Sequence, residues 1–167
     1  MANTFELIAS STVGSGGASS IIFSSIPSTY TDLCLKISSR QSTASIGLKM
    51  VINGYTAFSG RVLEGSGSSA SSYSMTPQLL VGYNNSSAYT ASSFGSTDVY
   101  IPNYLSTTSK SVSGDSVTET NASTAYSALL ADLYTTTAAI NSITLSCDAS
   151  GNFEEYSTAY LYGVKNA

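Results

Sequence analysis

Hydrophobic residues recur at every second position through most of this chain, the period of a strand with one face buried. The densest run spans residues 153–166. Tyr156, Thr158, Tyr160 and Tyr162 fall on one face of it, and Ser157, Ala159 and Leu161 on the other. Aromatic and β-branched residues favour strands. The run predicts a strand that pairs centrally, with earlier strands packed on it. Residues 4–9 alternate too, with Phe5, Leu7 and Ala9 on one face of a first strand. A Gly/Ser loop follows over 10–18, then a short strand over 19–24 holding Ile21, Ile22 and Phe23. Pro27 fixes a turn, because it cannot donate to a ladder. The clearest strand is 32–40, with Leu33, Leu35 and Ile37 inward and Lys36, Ser38 and Arg40 outward. Residues 46–52 alternate again and stop at Asn53-Gly54, a pair that favours a tight turn with positive φ.

The middle of the chain is less regular. Residues 61–64 make a short strand candidate, and 65–74 read as a flexible Gly/Ser/Ala surface loop. A strand over 77–83 and a turn over 84–87 come next. The strand over 94–101 is stopped by Pro102. A weaker strand covers 110–119 around Val112 and Val117, with a turn at 121–123. Residues 126–134 and 139–147 are two further apolar runs. Within the first, Ala128-Leu129-Leu130-Ala131 also suits a helix, but the short spacing of the runs favours a strand. No stretch sustains a 3.6 period. Eight to ten short strands separated by Gly, Pro and Asn turns predict an all-β fold, an antiparallel β-sandwich of jelly-roll-like form. No helical crossovers are present to support a parallel sheet. The 167 residues read as one domain over 1–167, long enough for a real core.

Composition sharpens this. Only 10% of residues are charged, and Ser and Thr make up about a third of the chain. Such hydroxyl content fits either a surface that stays wet inside an assembly or plain strand bias. The net charge is −4, the pI is about 4.5 and there is no basic run, so nucleic acid is not an expected partner. No apolar stretch approaches the roughly 18 residues of a spanning helix, and the start of the chain lacks the pattern of a signal peptide, so no membrane is expected. Cys34 and Cys147 both lie in strand-like runs and read as buried free thiols.

Candidate chemistry is thin. The chain has no His, which removes Ser-His-Asp, Cys-His and His-metal sites. Gly65-Ser66-Gly67-Ser68-Ser69-Ala70 fits the letters of a dinucleotide fingerprint but opens no helix, so it reads as surface loop. Asp148, Ser150, Asn152 and Glu154 alternate like some calcium loops, yet Gly151-Asn152 reads more simply as a turn. The ten acids are scattered, and nothing pairs two of them across a cleft. No catalytic residue, metal or cofactor is assigned, and the chain is not read as an enzyme. Asn84, Asn85 and Asn121 begin glycosylation sequons and read as turn residues. Tyr83, Tyr89, Tyr100 and Tyr104 fall near strand ends or loops. Their rings suit stacking on a glycan or contact with a protein partner, and equally suit core packing.

Three stretches carry a resemblance. They are Tyr156-Ser157-Thr158-Ala159-Tyr160-Leu161-Tyr162-Gly163-Val164-Lys165-Asn166, Phe23-Ser24-Ser25-Ile26-Pro27-Ser28-Thr29-Tyr30-Thr31-Asp32-Leu33, and Val99-Tyr100-Ile101-Pro102-Asn103-Tyr104 with Lys110 and Asp115-Ser116-Val117 after it. Together the chain resembles small β-rich virion proteins of tailed bacteriophages, notably cyanophages and other aquatic phages. The resemblance implies a structural protein carried in the virion and made in the cytoplasm of the bacterial host. It implies a capsid decoration or cement protein, bound to the major capsid protein at capsomer junctions and assembled as a homotrimer. The alternative is a tail fibre or spike domain that binds host-surface glycans. The first strand is expected to open at Thr4 and the last to close the chain, which favours the decoration protein over a fibre tip.

Overall fold

A computed structural model describes residues 4–56, 58–75, 80–121 and 125–165. Among these the fold is all-β, in thirteen strands. They are β1 (Phe5–Thr12), β2 (Ser20–Phe23), β3 (Asp32–Gln41), β4 (Gly47–Ile52), β5 (Phe58–Gly65), β6 (Ala70–Met75), β7 (Leu80–Tyr83), β8 (Asn85–Ser86), β9 (Gly95–Ile101), β10 (Lys110–Thr118), β11 (Tyr126–Tyr134), β12 (Ile143–Cys147) and β13 (Thr158–Val164). No helix among the described residues is long and apolar enough to cross a membrane.

Two sheets make a sandwich. The larger has nine strands in the order β1-β13-β3-β9-β10-β11-β5-β6, with β8 beside β3; the smaller runs β2-β12-β4-β7. Successive strands switch between the sheets, so β1-β13-β3-β9 faces β2-β12-β4-β7. That interleaving is the two-Greek-key order of an eight-stranded jelly roll. The remaining strands β10, β11, β5 and β6 widen one sheet beyond the sandwich. The core lies between the layers and is built from Leu33, Leu35 and Ile37 of β3, Leu48, Met50 and Ile52 of β4, Ile143 and Leu145 of β12, and Leu161 of β13. A smaller core of Val62, Leu80, Tyr83, Ala128 and Leu130 fills the space under the widened part.

The last strand is internal, paired with β1 and β3 on its two edges. It is shorter than the sequence pattern suggests. Phe153 stands outside it, bridged to Ala18 and Gln41, and Tyr156 turns the chain at φ 70°. Its aromatic face points outward, and Ala159 and Leu161 point in.

Several expectations are corrected. Phe5, Leu7 and Ala9 do not share one face: a bulge between Leu7 and Ala9 reverses the parity of β1, so Phe5 and Leu7 are exposed while Ile8 and Ala9 pack on the core. The flexible loop over 65–74 instead closes a hairpin in which β6 pairs along β5. The turn over 84–87 is a buried strip: Asn84, Asn85 and Ser86 are fully enclosed, and β8 lies parallel to β3. Only Ile143–Cys147 of the 139–147 run is strand, although Ile140 enters the core. Residues 77–79 and 122–123 of the expected strand and turn lie outside the described residues. Asn53 and Gly54 turn with φ of 50° and 75°, as their pair predicts. Both cysteines are free and buried. Burial pushes the Cys147 thiol up to about 12, with the Asp148 charge adding to it.

Two buried cations tie loops to the sheets. Lys110 Nζ donates to the carbonyls of Ser106 at 2.8 Å, Ala138 at 2.9 Å and Thr108 at 3.0 Å. Arg40 Nε donates to Glu154 Oε2 at 2.7 Å, and its Nη1 donates to the carbonyls of Thr90 at 3.0 Å and Ser93 at 3.3 Å. Few side chains are charged here, and these two act as hydrogen-bond hubs for chain that has no ladder partner.

Candidate functional site

The site begins with the alternation of the large sheet. Every second side chain of β1, β13, β3, β9, β10, β11 and β5 points away from the sandwich, and the ladder register lines them up in rows. One row runs Leu63, Leu129, Asp115, Asp98, Lys36, Tyr160 and Ser10 across seven strands. The next runs Arg61, Ala131, Ser113, Tyr100, Cys34, Tyr162 and Leu7. Among the described residues no second layer covers this face. Leu129 is 57% exposed, Leu63 54%, Leu7 54% and Phe5 53%. Val117, Leu133, Tyr100 and Tyr160 are also exposed.

Charge does not break up the surface. In the two rows Lys36 and Arg61 offset Asp98 and Asp115, so the formal sum is zero. Lys36 and Asp98 face each other across β3 and β9 and form an ion pair. Both side chains are about half exposed, so the pair adds little stability. It does remove two free charges from the middle of the face. The Asp98 hydrogen bond holds the Lys36 ammonium above its usual range. Beside it, Tyr100 donates from its hydroxyl to Asp32 Oδ2 at 2.6 Å, and the backbone N–H of Asn103 donates to Asp32 Oδ1 at 2.7 Å. The Asp32 carboxylate pushes the Tyr100 phenol up to about 12 and fixes its ring on the sheet. The result is a broad sheet face of aliphatic, aromatic and hydroxyl groups around the central Lys36, Asp98 and Asp115, held rigid by the ladder. Such a surface suits contact with another protein, where aromatic side chains are enriched.

The four tyrosines singled out by sequence separate. Tyr100 lies on the outer face. Tyr89 is half-buried in the 87–93 loop, where its carbonyl accepts from Arg40 Nη2 at 3.5 Å. Tyr104 is 0% exposed in the core and donates its hydroxyl to the Pro27 carbonyl. Tyr83 is 3% exposed, and its hydroxyl reaches Glu64 and, at 2.8 Å, the hydroxyl of Tyr73. Tyr104 therefore cannot meet a partner, and Tyr83 shows little beyond an edge. Tyr104→Phe is expected to cost about 1 kcal/mol, the worth of one buried hydrogen bond, without altering any surface contact. Chemical denaturation measures that difference.

Phe5, Leu7, Leu63, Leu129 and Leu133 are residues of the face that sequence reasoning missed. A signal existed in β11: Leu129 and Leu133 have the opposite parity to Leu130 and Tyr134, so both faces of that strand are apolar. Among the described residues no three His, Cys, Asp or Glu side chains gather as a metal site. No family model, no curated protein and no solved structure matches this chain.

Proposed function

We propose that the chain is a structural protein of a tailed-phage virion, a capsid decoration or cement protein. It lays the outer face of its nine-stranded sheet on the capsid shell at capsomer junctions. The observation that carries this reading is the uncovered, neutral face that spans seven strands. The resemblance of the 23–33, 99–104 and 156–166 stretches to phage virion proteins supplies the setting, with the major capsid protein as partner, a homotrimer as the assembled form and the virion as the location. A rigid sheet binds without ordering a loop, so little conformational entropy is lost on contact. Because few charges on the face are available to screen, adhesion should change little between low and high salt.

Leu63→Lys separates stability from binding. Leu63 is solvent-exposed in the free protein, so the change should alter its stability by no more than about 0.5 kcal/mol. Its cross-strand neighbours are Leu129 and Ser72, so the ammonium enters the contact with no carboxylate opposite it, and shell binding should be lost. Thermal denaturation beside a shell-binding assay reads both effects.

Immunogold labelling of intact particles with antibody against this chain tests the setting. Label spread over the head is the expected result. Label confined to the tail tip, or absent from particles while the protein is present in infected cells, overturns the reading.

A further inference from the structure

A second site lies at the opposite edge of the molecule, away from the outer face. The β5–β6 hairpin leans toward the β4–β7 edge of the small sheet, leaving a cleft of about 450 Å³ between them. That is within the size range of small-ligand sites. Its walls include Tyr73, Tyr83, Tyr126, Glu64, Lys49 and Asp148.

The tyrosines are arranged rather than scattered. Tyr83 and Tyr126 meet at 5.6 Å between ring centroids, tilted by 56°. Tyr73 donates its hydroxyl to Glu64 Oε2 at 3.1 Å, and the Tyr83 hydroxyl reaches the same carboxylate oxygen. The hydroxyl of Ser71 donates to the other Glu64 oxygen at 3.2 Å. Glu64 thus fixes both rings by their hydroxyl ends, with Tyr83 buried and Tyr73 supplying the open ring surface. Tyr73 remains 39% exposed there, a large amphipathic ring held in place yet open to solvent.

Polar capacity is left over at the same place. Lys49 is half-buried and makes no hydrogen bond or ion pair with the described residues. The Tyr126 hydroxyl likewise has no hydrogen-bond partner among them. Asp148 accepts one bond, from Gln41 Nε2 at 3.3 Å, on one of its two oxygens. A half-buried ammonium and a phenol, both without hydrogen-bond partners among the described residues, and a partly used carboxylate line the cleft beside the aromatic rings. A ligand that satisfies them presents a flat C–H face to the rings and several hydroxyls around its edge. Two carboxylates against one ammonium make the cleft net negative, which works against an acidic ligand.

We propose that this cleft binds an uncharged pyranose unit of a glycan. The sugar stacks on Tyr73 and Tyr126, donates hydroxyl protons to Asp148 and accepts from Lys49 Nζ. Glu64 is a positioning residue that sets the rings. The site does not depend on the shell-binding reading, since Glu64 of β5 and Tyr126 of β11 have the opposite parity to Leu63 and Leu129 and lie on the other side of the sheet.

Saturation-transfer NMR on the full chain tests it with three probes: methyl α-D-glucopyranoside, N-acetyl-D-glucosamine and D-glucuronate. Transfer to either neutral sugar but not to glucuronate is expected. Tyr73→Ala and Lys49→Met should each weaken the neutral sugar by roughly tenfold, the order expected for one lost stacking or charged contact. Both positions are at the surface edge, and an unchanged melting temperature for either variant is enough to make its binding result count. No transfer to either neutral sugar, preference for glucuronate, or wild-type binding by a folded variant would overturn the assignment.

Discussion

Gly114→Ala is expected to cost about 3 kcal/mol, the upper end of what overpacking a core takes, which corresponds to a fall in Tm of roughly 6–12 °C for a chain of this size. The reason is the way the two layers meet. Most facing sheets are held apart by interdigitated side chains, roughly 10 Å between backbones. Here β7 crosses close over β9 and β10 with small residues between. A Cβ on residue 114 falls 2.5 Å from the carbonyl oxygen of Val81 and 3.3 Å from Cβ of Leu130. The oxygen belongs to backbone, and β7 is paired to β4 on its other side, so it cannot swing away as a side-chain tip would. Ser116 Oγ completes the contact, accepting from the Tyr83 N–H at 2.8 Å and sharing a hydrogen bond with Thr97 Oγ1 at 2.7 Å. Circular dichroism melting of the variant measures the effect. A Tm within about 2 °C of wild type would mean that β7 is not in backbone contact with β10.

The second large effect is pH-dependent and centres on Asp132. Its side chain points inward from β11, is 6% exposed, and has one oxygen with no partner among the described residues. The other oxygen occupies the space that a Cβ at residue 60 would fill, which is why Gly60 is tolerated opposite it. Lys110, the nearest buried cation on the neighbouring strand, has its ammonium committed to carbonyls. Burial therefore acts unopposed and pushes the Asp132 carboxyl up to about 7. A folded value above the unfolded one means that the folded state holds the proton more tightly. Stability from this group is complete below the unfolded value near 4, and is lost as pH rises through 4 to 7. Asp132→Asn removes the titration. Every tenfold gain in proton affinity on folding is worth about 1.4 kcal/mol, and an unsatisfied buried amide takes back about 1–2 kcal/mol. The variant should thus be about 2 kcal/mol more stable than wild type at pH 8, and the advantage should vanish or reverse near pH 4. Urea denaturation across that range, read as the difference between the two proteins, checks it. A difference that stays flat with pH would contradict a buried, protonated Asp132.

What the sequence revealed follows physical lines. Period-2 alternation was enough for β3, where Leu33, Leu35 and Ile37 alternate with outward residues, and for the turn at Asn53-Gly54, whose geometry is local. The sandwich follows from many short strands with no crossover helices, whereas the jelly-roll order is set by the strand pairing. The elements hidden from pattern were those decided by distant pairing. No buried side chain marks β6, since Ala70 to Ser74 are exposed; it is a strand because β5 offers a ladder. Asn84 and Asn85 look like a turn, but Asn84 Nδ2 donates to the Gly47 carbonyl at 3.0 Å and Asn85 Nδ2 to Ser93 Oγ at 2.8 Å, which lets both be buried. In β1 a single bulge was enough to separate Ala9 from the face that Phe5 and Leu7 share. The same difficulty applied to function. A tyrosine near a strand end reads alike whether it enters the core, as Tyr104 does, or lies on an open face, as Tyr100 does. The choice depends on what packs over it, and that is set by strands far away in sequence.

The most direct test of the account is whether the outer face holds the chain on a shell. Purified wild-type protein and Leu63→Lys would each be mixed with phage heads from particles grown without this chain, then sedimented. The account predicts that wild type pellets with the heads at low and high salt alike, while the equally stable variant stays in the supernatant. Equal pelleting of the two proteins, or wild type that never pellets with heads, would contradict it.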